Sequence, residues 1–152
     1  MLEFGASSMN DVSYGRDASA YPFQFLFVPF PFVCFLLTLA TDVVYWRTAN
    51  VMWQNFSAWL LFAGLVFGGV ALLAGLIDLL RKRTRPLRPS LMPIVFFVLM
   101  LVLALANSFV HAGDGWTAVV PYGLLLSVVT VLISLLTLVA STRKYAKLAW
   151  RV

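Results

Sequence analysis

The 152 residues contain one cysteine, Cys34, and one histidine, His111. A single thiol rules out a disulfide within the chain and a cysteine metal cluster, and a single imidazole rules out a bis-histidine haem carried unaided. Cys34 stands in an apolar run and reads as a small buried hydrophobe. Charge is scarce too: 11% of residues are charged against 62% hydrophobic, with a mean hydropathy of +0.93. A soluble domain, whose surface must be polar, is excluded by that balance. No glycine loop fit to cradle phosphate is present, and the histidine lacks a Ser or Cys partner at a recognisable motif. The expectation is therefore no enzyme, no metal and no intrinsic cofactor, although a lipid, quinone or pigment at the surface is compatible with the composition.

The net charge of +5 and pI of about 9.8 are by themselves compatible with a nucleic-acid partner. The basic residues, however, sit beside apolar spans, where the excess of cations on cytoplasmic loops already accounts for them. No nucleic-acid partner is expected. A basic opening followed at once by a short apolar core, the mark of a secretory signal, is also lacking. Residues 1–21 are polar, with Glu3, Asp11 and Asp17 against Arg16, and read as a cytoplasmic tail.

What the chain has in plenty is long apolar runs. The chief one is FSAWLLFAGLVFGGVALLAGLIDLL, Phe56 to Leu80, 25 residues with one charge, Asp78. At ~1.5 Å per residue it crosses a bilayer with some tilt. Gly64, Gly68, Ala71 and Gly75 are spaced four, three and four, so they share one face on which another helix can come close. Arg81, Lys82, Arg83, Arg85 and Arg88 follow and assign that end to the cytoplasm.

Three more spans fit around it, giving an all-α integral membrane bundle of four transmembrane helices, near 22–46, 55–80, 93–111 and 118–141, with a basic tail at 143–152. In the first span, Pro29 and Pro31 predict a break, read either as packing or as one wall of a pocket. Tyr45, Trp46 and Arg47 anchor its outer end, and a short loop of about 47–55 makes a hairpin. Pro93 suits the first turn of the third span, and the turn HAGDGW leads through Trp116 into the fourth. There Ser127, Thr130, Ser134 and Thr137 share one face. Of the eleven Lys and Arg, ten fall on one side of this layout and Arg47 alone on the other. The expected location is the bacterial inner membrane with both termini cytoplasmic.

Ionisable residues inside spans are costly and so become candidates for function. Asp42 lies near the outer end of the first span. With antiparallel spans it falls in one layer with Asn107 and His111, either a structural polar tie or a headgroup, quinone or proton site. Asp78 lies at the inner end, with Arg81 and Lys82 three and four residues on, and reads as a local ion pair.

FVPFPF at the start of the first span, Asp42 within TLATDVVYW, and GLIDLL with Gly75 and Asp78 before a basic loop are points of resemblance to a bacterial family of four-span membrane proteins, domain of unknown function 2231. The likeness runs from about Pro29 to Tyr145. Members carry histidines before the first span and near the third, where this chain has Gln24 and Leu91 or Pro93, so no haem or metal role is carried over. The resemblance implies the fold and brings no activity. By fold-level analogy such chains are similar to small integral subunits beside redox assemblies. The leading expectation is thus a non-catalytic subunit of an electron-transfer membrane complex, packing on other integral subunits and lipids through the glycine face and the aromatic outer surface. The alternative is a small ligand-, quinone- or proton-handling protein using the proline break and the Asp42, Asn107 and His111 layer.

Overall fold

The computed structural model describes residues 24–80, 91–113 and 119–149, with side chains over 26–80, 91–113 and 119–142. A short helix α1 (Gln24–Phe27) leads into α2 (Pro29–Thr48), followed by α3 (Val51–Leu80), α4 (Leu91–His111) and α5 (Leu124–Ala149), the last entered through a wide turn at Val119–Gly123. No strand occurs among the described residues. Four helices are long and apolar enough to cross a membrane; α2, with 20 residues, is about 30 Å long, the thickness of a hydrocarbon core, and α3, with 30, is about 45 Å long. The N-terminal tail, the basic loop with Arg81 and Lys82, and Trp116 lie outside the described residues.

The break expected at the prolines falls at Val28. Pro29 opens α2 and Pro31 is in its first turn, where a backbone N–H would have no partner four residues back and its lack costs nothing. Rings just after the break pack on neighbouring helices: Phe30 stacks on Phe67 of α3 with centroids 4.7 Å apart, and Phe32 lies 6.1 Å from Phe97 of α4.

The connection from α2 to α3 is shorter than the loop of 47–55 expected from the aromatic anchors. Only Ala49 and Asn50 are non-helical, because local hydrogen bonds close both helix ends. Ala49 adopts a left-handed conformation (φ 52°) and its N–H donates to Tyr45 O at 2.8 Å, a single-residue C-cap. Asn50 Oδ1 accepts from the Met52 N–H at 3.0 Å, which caps α3. At the other end of the chain, α5 continues to Ala149, so residues 143–149 prolong the helix instead of forming a separate tail.

The helices form a ring in which α2 packs on α3 and α5, and α4 packs on α3 and α5. Their shared core is Phe35, Leu61, Ala71, Phe97, Met100, Leu101 and Ala104. The small residues of α3 make this approach feasible, since a Cβ on Gly64 would run into the Phe35 ring and one on Gly68 into the Leu101 side chain. Ala71 and Ala74 continue the buried stripe, while Gly75 is half-buried at its edge. The glycine face is therefore used up inside the chain. It is not available to another subunit, contrary to the expectation above, because the neighbours it admits are α2 and α4.

The distribution of polarity is inverted relative to a soluble protein. Thr38, Asp42, Ser57, Asn107, His111, Ser127, Thr130, Ser134 and Thr137 are buried, while Leu73, Trp59 and Phe109 are exposed. Large apolar side chains facing outward suit lipid.

Candidate functional site

The buried polar groups converge on one carboxylate, Asp42, one turn beyond Thr38 on the inner face of α2. Its six-residue distance from the end of α2 places it about 9 Å below the hairpin. Each of the other three long helices supplies one hydrogen bond to it. Ser57 Oγ of α3 donates to Oδ1 at 2.5 Å, His111 Nε2 of α4 lies 2.9 Å from Oδ1, and Ser127 Oγ of α5 donates to Oδ2 at 2.5 Å. Asp42, Ser57 and Asn107 have no accessible surface, and His111 retains 4%.

Further hydrogen bonds hold these groups in place. Ser57 Oγ lies 2.7 Å from Thr41 Oγ1. Asn107 Nδ2 donates to Ser127 Oγ at 2.7 Å, so the Ser127 hydrogen is left for Asp42. His111 Nδ1 stands 3.0 Å from the backbone carbonyl of Asn107, one turn back on the same helix.

These contacts determine where hydrogens must be. A carbonyl oxygen only accepts, so Nδ1 carries a hydrogen. The 2.9 Å contact between Nε2 and Oδ1 then needs a hydrogen of its own, because two facing lone pairs would repel. That hydrogen belongs to an imidazolium N–H or to a carboxyl O–H, and in both cases the Asp42–His111 pair is neutral overall. A neutral pair avoids the cost of a lone charge at this depth. The hydroxyl hydrogens of Ser57 and Ser127 and one hydrogen of the Asn107 amide are committed. The acceptor Asn107 Oδ1 is buried and has no hydrogen-bond partner.

The structure brings Asp42, Asn107 and His111 together, and Ser57 and Ser127 complete the set. Sequence reasoning placed Ser127 on a hydroxyl face without linking it to Asp42, and did not single out Ser57. The signal for Ser57 was its spacing: residues 57, 61, 64 and 68 lie on one helix face, so the serine belongs to the same inward stripe as the glycines. Asp78 is also buried, but it lies 21 residues along α3 from Ser57, about 31 Å away. The two acids occupy opposite ends of the bundle. The remaining hydroxyls of α5 turn to their own helix: Thr130, Ser134, Thr137 and Ser141 donate to Leu126, Thr130, Ile133 and Thr137 carbonyls at 2.7–2.8 Å. No group of three or more His, Cys, Asp or Glu side chains able to hold a metal occurs among the described residues.

Four apolar helices that bury their polar groups and expose their leucines define an integral membrane protein of the four-span class. The chain belongs to the family described as predicted membrane protein (DUF2231), whose model matches residues 22–150. No curated protein and no solved structure matches it.

Proposed function

We propose that this protein takes up and releases a proton at the Asp42–His111 pair near the hairpin end of the bundle. The observation that carries the reading is the Nε2–Oδ1 contact at 2.9 Å between two buried ionisable side chains, with Nδ1 already committed to a carbonyl. One proton is held between them, and its loss or gain changes the charge on a carboxylate to which all four long helices contribute. Cations concentrated on the loops of the opposite end favour a cytoplasmic position for those loops, so the pair faces the outside of the cell. The test is proton uptake by the purified protein in detergent, followed with a pH-sensitive dye. Between its fully deprotonated and fully protonated forms the native chain should bind about one proton more than Asp42→Asn, with helical content unchanged. Equal uptake by the two folded proteins would contradict the reading.

A second reading, an accessory subunit of a larger membrane complex, is favoured by the ring-rich outer surface, where Trp59 and Phe62 stand edge to face with centroids 6.1 Å apart and both are exposed. Native electrophoresis after gentle solubilisation separates it: a partner bound through this surface is lost in Trp59→Ala, whereas a lone species of 16.9 kDa counts against it.

A further inference from the structure

A hydrogen shared between Nε2 and Oδ1 can rest on either side, and the groups around Asp42 decide which. We infer that it rests on His111, so that the pair is an imidazolium facing a carboxylate, and that Asn107, acting through Ser127, is the positioning residue that holds it there. The inference rests on the proton reading above and adds to it the resting state of the pair and the residue that sets it.

Three observations support it. The first is the set of donors on Asp42. Ser57 and His111 meet at Oδ1, and Ser127 reaches Oδ2. A carboxylate, with about four lone-pair sites, accepts all three. In the acid form Oδ1 would carry the hydrogen directed at His111 and would be a poorer acceptor for Ser57. The two hydroxyl contacts, 2.5 Å each, match the roughly 2.5–2.7 Å of an O–H donating to an ionised oxygen and fall short of the about 2.7–2.8 Å usual between neutral groups.

The second is the direction of the Asn107 chain. An amide N–H donates and does not accept, so Nδ2, 2.7 Å from Ser127 Oγ, obliges the serine to turn its own hydrogen to Oδ2. The reversed amide would take the Ser127 hydrogen, and Oδ2 would then have to supply one, as a carboxyl does. The orientation of the amide and the charge of Asp42 are therefore coupled. The Ser57 branch has no such direction, because Thr41 Oγ1, 2.7 Å from Ser57 Oγ, is a hydroxyl that also reaches the Leu37 and Thr38 carbonyls.

The third is the charge around the pair. Among the described side chains, α4 and α5 carry no charged group besides His111, and α3 carries only Asp78, at the other end of the bundle. On α2, Arg47 is exposed and stands over the Trp46 ring, 5.3 Å from its centroid. The thiol of Cys34 and the phenols of Tyr45 and Tyr122 add no cation. A buried carboxylate needs a compensating charge, and the imidazolium in contact at 2.9 Å supplies it.

The single histidine makes a direct test feasible. Protein labelled with nitrogen-15 at histidine and embedded in lipid bilayers reports only on His111, and one-bond coupling in a solid-state NMR spectrum shows which ring nitrogen holds a hydrogen. Near neutral pH both nitrogens of the native ring should hold one. Asn107→Leu lets the Ser127 hydroxyl turn away from Oδ2, and Ser127→Ala removes it. In each variant the proton passes from Nε2 to Oδ1: the N–H electron pair stays on nitrogen, an O–H bond forms on the carboxylate, and the pair keeps no net charge. The Nε2 coupling should fall to less than half of its native intensity while that of Nδ1 is kept. Either variant suffices should the other fail to fold. Thr130→Val, whose hydroxyl serves its own helix, should show the native pattern. A bare Nε2 in the native ring, an Nε2 as fully protonated in Asn107→Leu or Ser127→Ala as in the native protein, or the same loss in Thr130→Val would each overturn the inference. Proton binding that still differs by one between the native protein and Asp42→Asn leaves the proposed function standing in all of these cases, so the two failures are told apart.

Discussion

At the residue scale the molecule turns on how one carboxylate is satisfied. Asp42 receives hydrogen bonds from Ser57, His111 and Ser127, and removing any one donor leaves a buried oxygen short of a partner at a cost of about 1–3 kcal/mol. Ser127 serves two groups at once, accepting from Asn107 and donating to Asp42. Ser127→Ala should therefore lower stability by about 2–3 kcal/mol, toward the top of that range. Thr130→Val, one turn on, removes only a bond to its own helix and should cost less than about 1 kcal/mol. Reversible unfolding in mixed detergent micelles measures both, and equal effects would deny Ser127 its double role. The acid, the amide and the imidazole were legible in the sequence because antiparallel spans set their depth. The two serines were harder to read, since a serine in an apolar helix most often bonds to its own backbone, as Thr38 does to the Cys34 carbonyl.

At the scale of the element, α3 shows how small residues become structural. Gly64, Gly68 and Gly69 are alike in sequence but not in surroundings. A Cβ at Gly64 meets the buried Phe35 ring, one at Gly68 meets the end of the Leu101 side chain, and one at Gly69 meets nothing within 4 Å. A ring packed at 1% exposure has nowhere to go, whereas a leucine end can rotate. The order of destabilisation should be Gly64→Ala, at about 1–3 kcal/mol, then Gly68→Ala at less than that. Gly69→Ala should be neutral or stabilising by up to about 1 kcal/mol through helix propensity. The same unfolding measurement reads the series, and a Gly69 variant as damaged as the Gly64 variant would show that the stripe does not act through contact. The stripe itself was visible from its spacing of four and three. Its partner was not, because a helix sequence names the face that packs and not the element that packs on it. The two-residue hairpin was likewise hidden, since Trp53 and Asn55 look like loop and interface residues until Asn50 is seen to cap the helix that contains them.

At the scale of the whole molecule, the arrangement of polarity is what makes the chain a membrane protein. A charge placed on the outward face, as in Leu73→Lys, meets lipid and should impair insertion by about 2.5–3.5 kcal/mol, seen as loss of protein from the membrane fraction. The same change at Leu80, at the end of α3, lies where a lysine can reach the headgroups and should be tolerated. Equal loss at both positions would contradict the depth assigned to α3. The four spans were readable from apolar run length alone, because a bilayer sets one thickness for every crossing. The ring order of the helices was not, since lipid-facing and core-facing residues in these helices are equally apolar and only the buried hydroxyls and small residues distinguish the faces.

The central claim is that His111 shares a proton with Asp42, and the nitrogen-15 spectrum of the labelled single histidine tests it most directly. The account predicts a hydrogen on Nδ1 and a strongly hydrogen-bonded hydrogen between Nε2 and Asp42 Oδ1, the latter lost or displaced in Asp42→Asn. A ring that titrates as a free imidazole in water, with identical spectra in the native and Asp42→Asn proteins, would contradict it.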